Sequence, residues 1–263
     1  MAVVSIGNVK GGAGKTTIAV LLAMEFARRG EPVVLLDCDP LAFATRWRQL
    51  PGHDGSIDVI SGITFSNLAG IVRAQKAHAQ VIIDLSSARD AVTALAAAFS
   101  DLVLIPVQGC AMDAQGGAHV LDLIDQVERN SRCRINHAVV LTRVSPIITT
   151  RAIRSVKALL AARNVRLLDT PLVERGAYRD MFDHGGSLYD MDASKVSNVS
   201  KALINMQSLA RDVLRLSGRM PEQAVLASST GRSENTLRQP SLGLTAKVNR
   251  PRSSRESAMR LDS

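Results

Sequence analysis

Cysteine is scarce in this chain of 263 residues. Its three cysteines, Cys38, Cys110 and Cys133, have neither paired spacing nor histidine clusters nearby. That argues against a disulfide framework or a thiolate metal site and leaves the expectation of reduced, buried thiols in a cytosolic protein. The five histidines are scattered without metal-ligand spacing. No serine stands in a nucleophile elbow, and no Cys/His pair has the local context of a covalent catalyst. Long apolar runs are missing too: none approaches the ~20 residues that a membrane span needs. The first residues lack the basic, apolar and small-residue order of a secretory signal. There is no internal repeat. What remains is a chain long enough for one α/β domain with a sizeable core.

The decisive feature that is present is Lys10-Gly11-Gly12-Ala13-Gly14-Lys15-Thr16-Thr17. It follows the apolar run Ala2-Val3-Val4-Ser5-Ile6 and opens a helical run from Ile18 to Arg29, so it reads as strand, glycine-rich loop, helix. That context makes it a phosphate-binding loop. Glycines let backbone N–H groups curl round an anion, and the helix N-terminus adds its positive dipole end. Lys15 is expected to reach the β- and γ-phosphates and the Thr16 hydroxyl to ligate Mg²⁺.

The body alternates strand and helix. The pattern predicts strands at 2–7, 32–37, 57–60, 80–85, 101–106, 135–142 and a short one at 165–169. Helices are expected at 16–29, 66–78, 89–99, 113–129, 149–163 and about 193–217. Runs such as Val81-Ile82-Ile83 and Leu102-Val103-Leu104-Ile105 are continuously apolar, which marks central strands covered on both faces. The expected class is therefore α/β, a doubly wound, mostly parallel sheet. Val33-Val34-Leu35-Leu36 ends in Asp37-Cys38-Asp39-Pro40, and ligands in such sheets sit beyond the carboxyl ends of strands. Two acids at a strand end also suit a helix cap or a turn. Val81-Ile82-Ile83 ends in a third acid, Asp84.

Where the standard phosphate loop has its first glycine, this chain has Val9, and a second lysine, Lys10, precedes Lys15 by five residues. By spacing alone Lys10 adds one positive charge near phosphate. Lys10-Gly-Gly-x-Gly-Lys-Thr-Thr nevertheless resembles the deviant Walker A signature of the ParA/MinD family of dimeric ATPases. The resemblance extends over about residues 2–216. It implies ATP and Mg²⁺ as cofactors, an ATP-bound sandwich dimer with Lys10 reaching the partner's nucleotide, and slow, partner-stimulated hydrolysis. It further implies that Asp39 orients the attacking water, that Asp37 supports the Mg²⁺ site, and that Asp84 is the Walker B carboxylate. Thr142-Arg143 and the segment from Pro171 to Arg175 fall where the family contacts the base. The chain departs from the family after Asp84, with Leu85-Ser86-Ser87 in place of a proline-containing segment that senses the γ-phosphate.

The phosphate loop begins almost at Met1, with no helix-turn-helix before it, as in the small ParA subgroup. Thr45-Arg46-Trp47 is similar to members that include VirC-type proteins of T-DNA transfer. Trp47 is the sole tryptophan and is expected in the core. The resemblance implies a nucleoid-associated cytoplasmic protein that binds DNA without sequence preference and positions plasmid, chromosome or conjugative cargo through a ParB-like adaptor. Candidate DNA contacts are Arg151, Arg154, Lys157, Arg175, Arg179, Lys195 and Lys201; a stripe such as 151/154/157 also occurs as a solvated face. The formal net charge of +8 favours a polyanionic partner. An ATPase domain over 1–217 is expected to give way to a basic, Ser/Arg-rich, disordered tail over 218–263, where eight basic residues face four acidic ones. Two other readings stand beside partitioning. One is a MinD-like membrane-cycling ATPase, disfavoured by the lack of a terminal amphipathic helix. The other is a DNA-binding scaffold that ATP switches with negligible turnover.

Overall fold

The computed structural model describes residues 1–87, 89–108, 111–145 and 150–218, with the side chains of 111–114 also left aside. Cys110 and the tail from 219 to 263 lie outside the described residues. The chain divides into two units, Met1–Glu222 and Gln223–Ser263, and the architecture below is that of the first.

Seven strands form one sheet: β1 (Val3–Ile6), β2 (Val33–Asp37), β3 (Ile57–Ile60), β4 (Gln80–Asp84), β5 (Leu102–Gln108), β6 (His137–Val144) and β7 (Leu172–Val173). Their spatial order is β3-β2-β4-β1-β5-β6-β7, and every pairing is parallel. Eight helices connect them among the described residues: α1 (Lys15–Arg28), α2 (Phe43–Gln49), α3 (Phe65–Lys76), α4 (Asp90–Phe99), α5 (Ala111–Ser131), α6 (Arg151–Ala162), α7 (Gly176–His184) and α8 (Val199–Leu216).

The continuous apolar strands follow from burial on both faces. Val4, Ile6, Leu35, Ile82, Leu104 and Val140 turn to one side and join α1, α2, α7 and α8 in one core. Their neighbours Val3, Val34, Leu36, Val81 and Ile83 turn to the other side and pack on α3 and α4. Val103, Ile105, Val107, Val139 and Leu141 extend that second side beneath α5 and α6. The expected doubly wound parallel sheet is what forms. β1 lies between β4 and β5, so the loop after it opens at the point where chain winding reverses, the usual ligand crevice of such sheets.

Several sequence expectations are corrected here. The segment 165–169 is not a strand; it touches β6 through one bridge, Val139 to Leu167, and the seventh strand comes later at Leu172–Val173. Asn164, at φ 54°, ends α6 in the left-handed region and turns the chain before the pairing can lengthen. Helices α2 and α7 were not anticipated, because both are short and follow loops. The last helix begins at Val199 rather than near 193. Residues 192–195 instead form a turn in which Asp192 accepts from Ser194 N–H and Oγ–H. Cys38 is buried as expected, but Cys133 is exposed, since it follows the end of α5. Trp47 is 1% exposed, its ring edge-on to His53.

Candidate functional site

Residues 7–14 form the loop between β1 and α1. Gly12 and Gly14 hold φ of 76° and 96°, a left-handed backbone that a side chain would strain, and Ala13 between them is fully buried. Gly14, at the N-cap of α1, has no side chain to cap the helix, which opens directly off the loop. Lys15 is buried and donates from Nζ to Ser87 Oγ at 2.6 Å and to the Lys10 carbonyl at 3.3 Å. Burial lowers its pKa, while Asp84 and Asp39 pull it back up.

Asp37 and Asp84 stand side by side in the β2–β4 register, and Asp84 is opposite Ile6 on β1. The acids therefore end two adjacent strands next to the phosphate loop. Asp37 is buried, and its oxygens accept from Asp39 N–H at 3.2 Å, Thr45 N–H at 2.8 Å and Thr45 Oγ1–H at 2.7 Å. The helix-cap alternative is thus realised, because this carboxylate holds the first turn of α2. Asp39 is half-buried and accepts from Leu41 N–H at 2.9 Å.

Asp84 differs from both. It is 1% exposed, and neither carboxylate oxygen has a hydrogen bond of normal geometry among the described residues. Burial pushes its pKa up to about 7; the Thr16 hydroxyl and Lys15 act downward, Asp37 and Asp39 upward. An orphaned buried carboxylate beside a hydroxyl and an ammonium fits a divalent cation. Among the described residues no cluster of three or more His, Cys, Asp or Glu forms an all-protein metal cage. Such a site suits Mg²⁺ shared with phosphates, which that ion favours over dedicated protein cages.

Three supports of the loop were given no role from the sequence, although one of them, Ser87, lies in the Leu85-Ser86-Ser87 segment noted above. Asn8 is buried, donating to the Pro106 carbonyl at 2.6 Å and accepting from Lys10 N–H at 2.8 Å. Gln108 donates to the Gly12 carbonyl at 2.7 Å, and Ser87 accepts from Lys15 as above. Helix α5 comes close enough that a Cβ on Gly116 would lie 2.5 Å from Asn8 Oδ1. Asn8 abuts the motif and could have been suspected from that. Gln108 and Gly116 reach the loop only through the fold.

On the opposite side of the loop Thr142 donates to the Ala13 carbonyl at 2.8 Å. Arg143 has φ of 51° where the β6–β7 register slips. Both residues line a cavity of about 310 Å³ with Gly14, Thr17, Leu172, Val173, Arg175, Tyr178 and Arg179. Pro171 stands behind this wall, its carbonyl bonded to Asn205. Arg175 and Arg179, proposed from sequence for DNA, therefore line this cavity beside the phosphate loop. Arg151, Arg154 and Lys157 are exposed along α6, and Lys195 and Lys201 are exposed before and within α8. Lys195 pairs with Asp192 at 3.6 Å.

A phosphate loop at the winding reversal of a parallel sheet, with carboxylates ending the adjoining strands, defines a P-loop ATPase of the ParA/MinD class. The family model described as VirC1 protein matches residues 1–225, and the chain belongs to that family of ParA-like proteins. Protein ParA of Rhizobium radiobacter is 39% identical over 219 residues, covering 82% of this chain and 97% of that protein. Solved structures agree on the fold. The MinC:MinD cell division complex of Aquifex aeolicus aligns with a TM-score of 0.63 at 18% identity, over 84% of this chain and 97% of that one. A putative plasmid partition protein of Borrelia burgdorferi bound to AMPPNP gives 0.59 at 18% identity, over 81% and 98%. Among the described residues no helix is long and apolar enough to cross a membrane.

Proposed function

We propose that the protein is an ATP-driven partition ATPase that closes into a sandwich dimer on ATP, binds DNA without sequence preference, and releases it after partner-stimulated hydrolysis. The buried, unpartnered carboxylate of Asp84 beside Thr16 and Lys15 supports this reading most strongly, because it makes sense as half of a nucleotide–metal site. The backbone N–H groups of 11–17 and Lys15 would hold the phosphates, and Thr16 and Asp84 the Mg²⁺, which when bound neutralises phosphate charge. Asp37 acts indirectly, by fixing the start of α2 and the backbone of Asp39. Asp39 orients the attacking water. Thr142, Arg143 and the 171–175 segment serve the base.

Lys10 reaches the partner's nucleotide across the dimer. Its backbone is tied to β5 through Asn8, so it is anchored on the same frame as the loop it serves. Arg151, Arg154 and Lys157 contact DNA phosphates, with the salt dependence that counterion release imposes. A cargo adaptor of the ParB kind is the hydrolysis-stimulating partner, and the cargo is a plasmid, a chromosome or a conjugative complex. The ATPase domain is taken as 1–217 and the basic tail as a separate segment.

Sedimentation of the purified protein with Mg-ATP, Mg-ADP or no nucleotide tests the dimer. ATP alone should give dimers. Lys15→Ala should abolish nucleotide binding, and Lys10→Ala should retain some binding but stay monomeric without turnover. ATP-dependent dimers of Lys10→Ala with normal turnover would refute the reading. A scaffold that ATP merely switches would dimerise as well, and it separates by showing no added hydrolysis with DNA and partner together.

A further inference from the structure

β7 is two residues long and hydrogen-bonds to β6 on one side. On its other side the Pro171 carbonyl and the Val173 N–H point the same way, as they do whenever a neighbouring strand is to be paired. No further strand is there among the described residues. The side chain of Asn205, on α8, takes that place. Its Nδ2 donates to the Pro171 carbonyl at 2.9 Å, and its Oδ1 accepts from Val173 N–H at 2.9 Å. A carboxamide has the donor–acceptor geometry of a peptide group, so one side chain acts as a single-residue eighth strand. The partners fix its orientation: a carbonyl requires the nitrogen on one side, and an N–H requires the oxygen on the other.

Asn205 holds more than the strand. Its Oδ1 also lies 3.2 Å from the hydroxyl of Tyr178, which donates to the Ala202 carbonyl at 3.0 Å. Leu172, Val173, Tyr178 and Arg179 all face the 310 Å³ cavity beside Thr142 and Gly14. One amide on α8 thus ties together the strand and the helix that wall the base side of the site. The phosphate loop has braces of its own in Asn8 and Gln108, which bond to the Pro106 and Gly12 carbonyls and not to β7 or α7.

We infer that Asn205 is the positioning residue of the purine pocket, setting the base-dependent share of nucleotide affinity while leaving phosphate binding alone. This rests on the reading of the cavity as the base site. Asn is required over its isosteres. Asp would set a carboxylate against the Pro171 carbonyl, and Leu would leave a donor and an acceptor unpaired, a loss that buried polar groups tolerate poorly.

The test compares affinities of the full chain for ATP and for inorganic tripolyphosphate, each with Mg²⁺, by calorimetry in wild type, Asn205→Ala and Asn205→Asp. Tripolyphosphate carries the phosphate contacts and no base. Wild type should prefer ATP, and Asn205→Ala should weaken ATP by about tenfold or more while tripolyphosphate moves by less than about twofold. Asn205→Asp should fall between. The ratio is taken within each variant, so an unfolded fraction, which lowers both affinities alike, cancels. A wild-type preference that survives unchanged in both variants, or a parallel loss of both ligands, overturns the assignment. A wild type with no preference for ATP over tripolyphosphate overturns the base-site reading beneath it as well.

Discussion

Asp84→Asn should stabilise the protein in the very condition where it cannot work. The wild-type carboxyl is buried without a hydrogen bond of normal geometry among the described residues, and burial lifts its pKa from 3.8 to about 7. At roughly 1.36 kcal/mol per pH unit that interval corresponds to on the order of 4 kcal/mol held against the charged form. That figure is already net of the attraction to Lys15; an amide buried without a partner of its own offsets part of it, so the gain expected is roughly 2–4 kcal/mol at pH 8. The sign follows from linkage: a raised carboxyl pKa means the folded state binds the proton more tightly than the unfolded one. Its contribution to stability is fully present below 3.8 and is lost as pH rises through about 7. The difference between variant and wild type should therefore grow from pH 5 to pH 8. Urea unfolding in EDTA, without nucleotide, reads it directly. With Mg-ATP at a thousandfold its Kd the order should reverse, because binding then adds about 4.1 kcal/mol to wild type and nothing to a variant that cannot hold the ion. An Asn variant less stable than wild type at pH 8 in EDTA, or a difference that does not change with pH, would refute the reasoning.

Substitutions at three other positions probe the frame. Gly116→Ala places a methyl 2.5 Å from Asn8 Oδ1 and 3.3 Å from Lys10 Cβ, and Asn8 is pinned by two bonds. It should cost about 1–3 kcal/mol and weaken ATP-dependent dimerisation; Gly70→Ala in α3, with nothing within 4 Å, should instead gain roughly 0.5–1 kcal/mol in the same urea titration. Trp47→Ala should cost about 3–5 kcal/mol by chemical denaturation followed by circular dichroism. Trp47→Phe should recover most of that loss, since the buried Nε1–H it removes has no partner among the described residues.

The phosphate loop and the strand-end acids were legible because their signals are local. Gly12, Gly14, Lys15, Asp37 and Asp84 sit in short motifs whose flanking apolar runs declare strand and helix, and a continuous apolar strand declares a parallel sheet. The seventh strand was misplaced for the opposite reason. Leu172–Val173 is too short to show a period, and its outer edge is held by Asn205, which lies 32 residues downstream of Val173. Helix α2 was hidden likewise: its first turn is held by Asp37, a residue that the resemblance assigned to the Mg²⁺ site and whose place at a strand end also suited a cap or a turn. The exposed Cys133 and the placement of Arg175 and Arg179 in the cavity beside Thr142 and Gly14 are also tertiary outcomes. Residue type and spacing carry charge, but not which face of the molecule receives it.

The central claim, that ATP closure builds the DNA-binding form, is tested most directly by DNA binding with ATP, ADP or no nucleotide at two salt concentrations. Full-length protein and a version ending at Leu216 should be compared. Binding that appears only with ATP, weakens at higher salt and survives the truncation is the expected result. Binding indifferent to nucleotide and lost with the tail would contradict the account, because the DNA contact would then be passive electrostatics outside the ATPase domain.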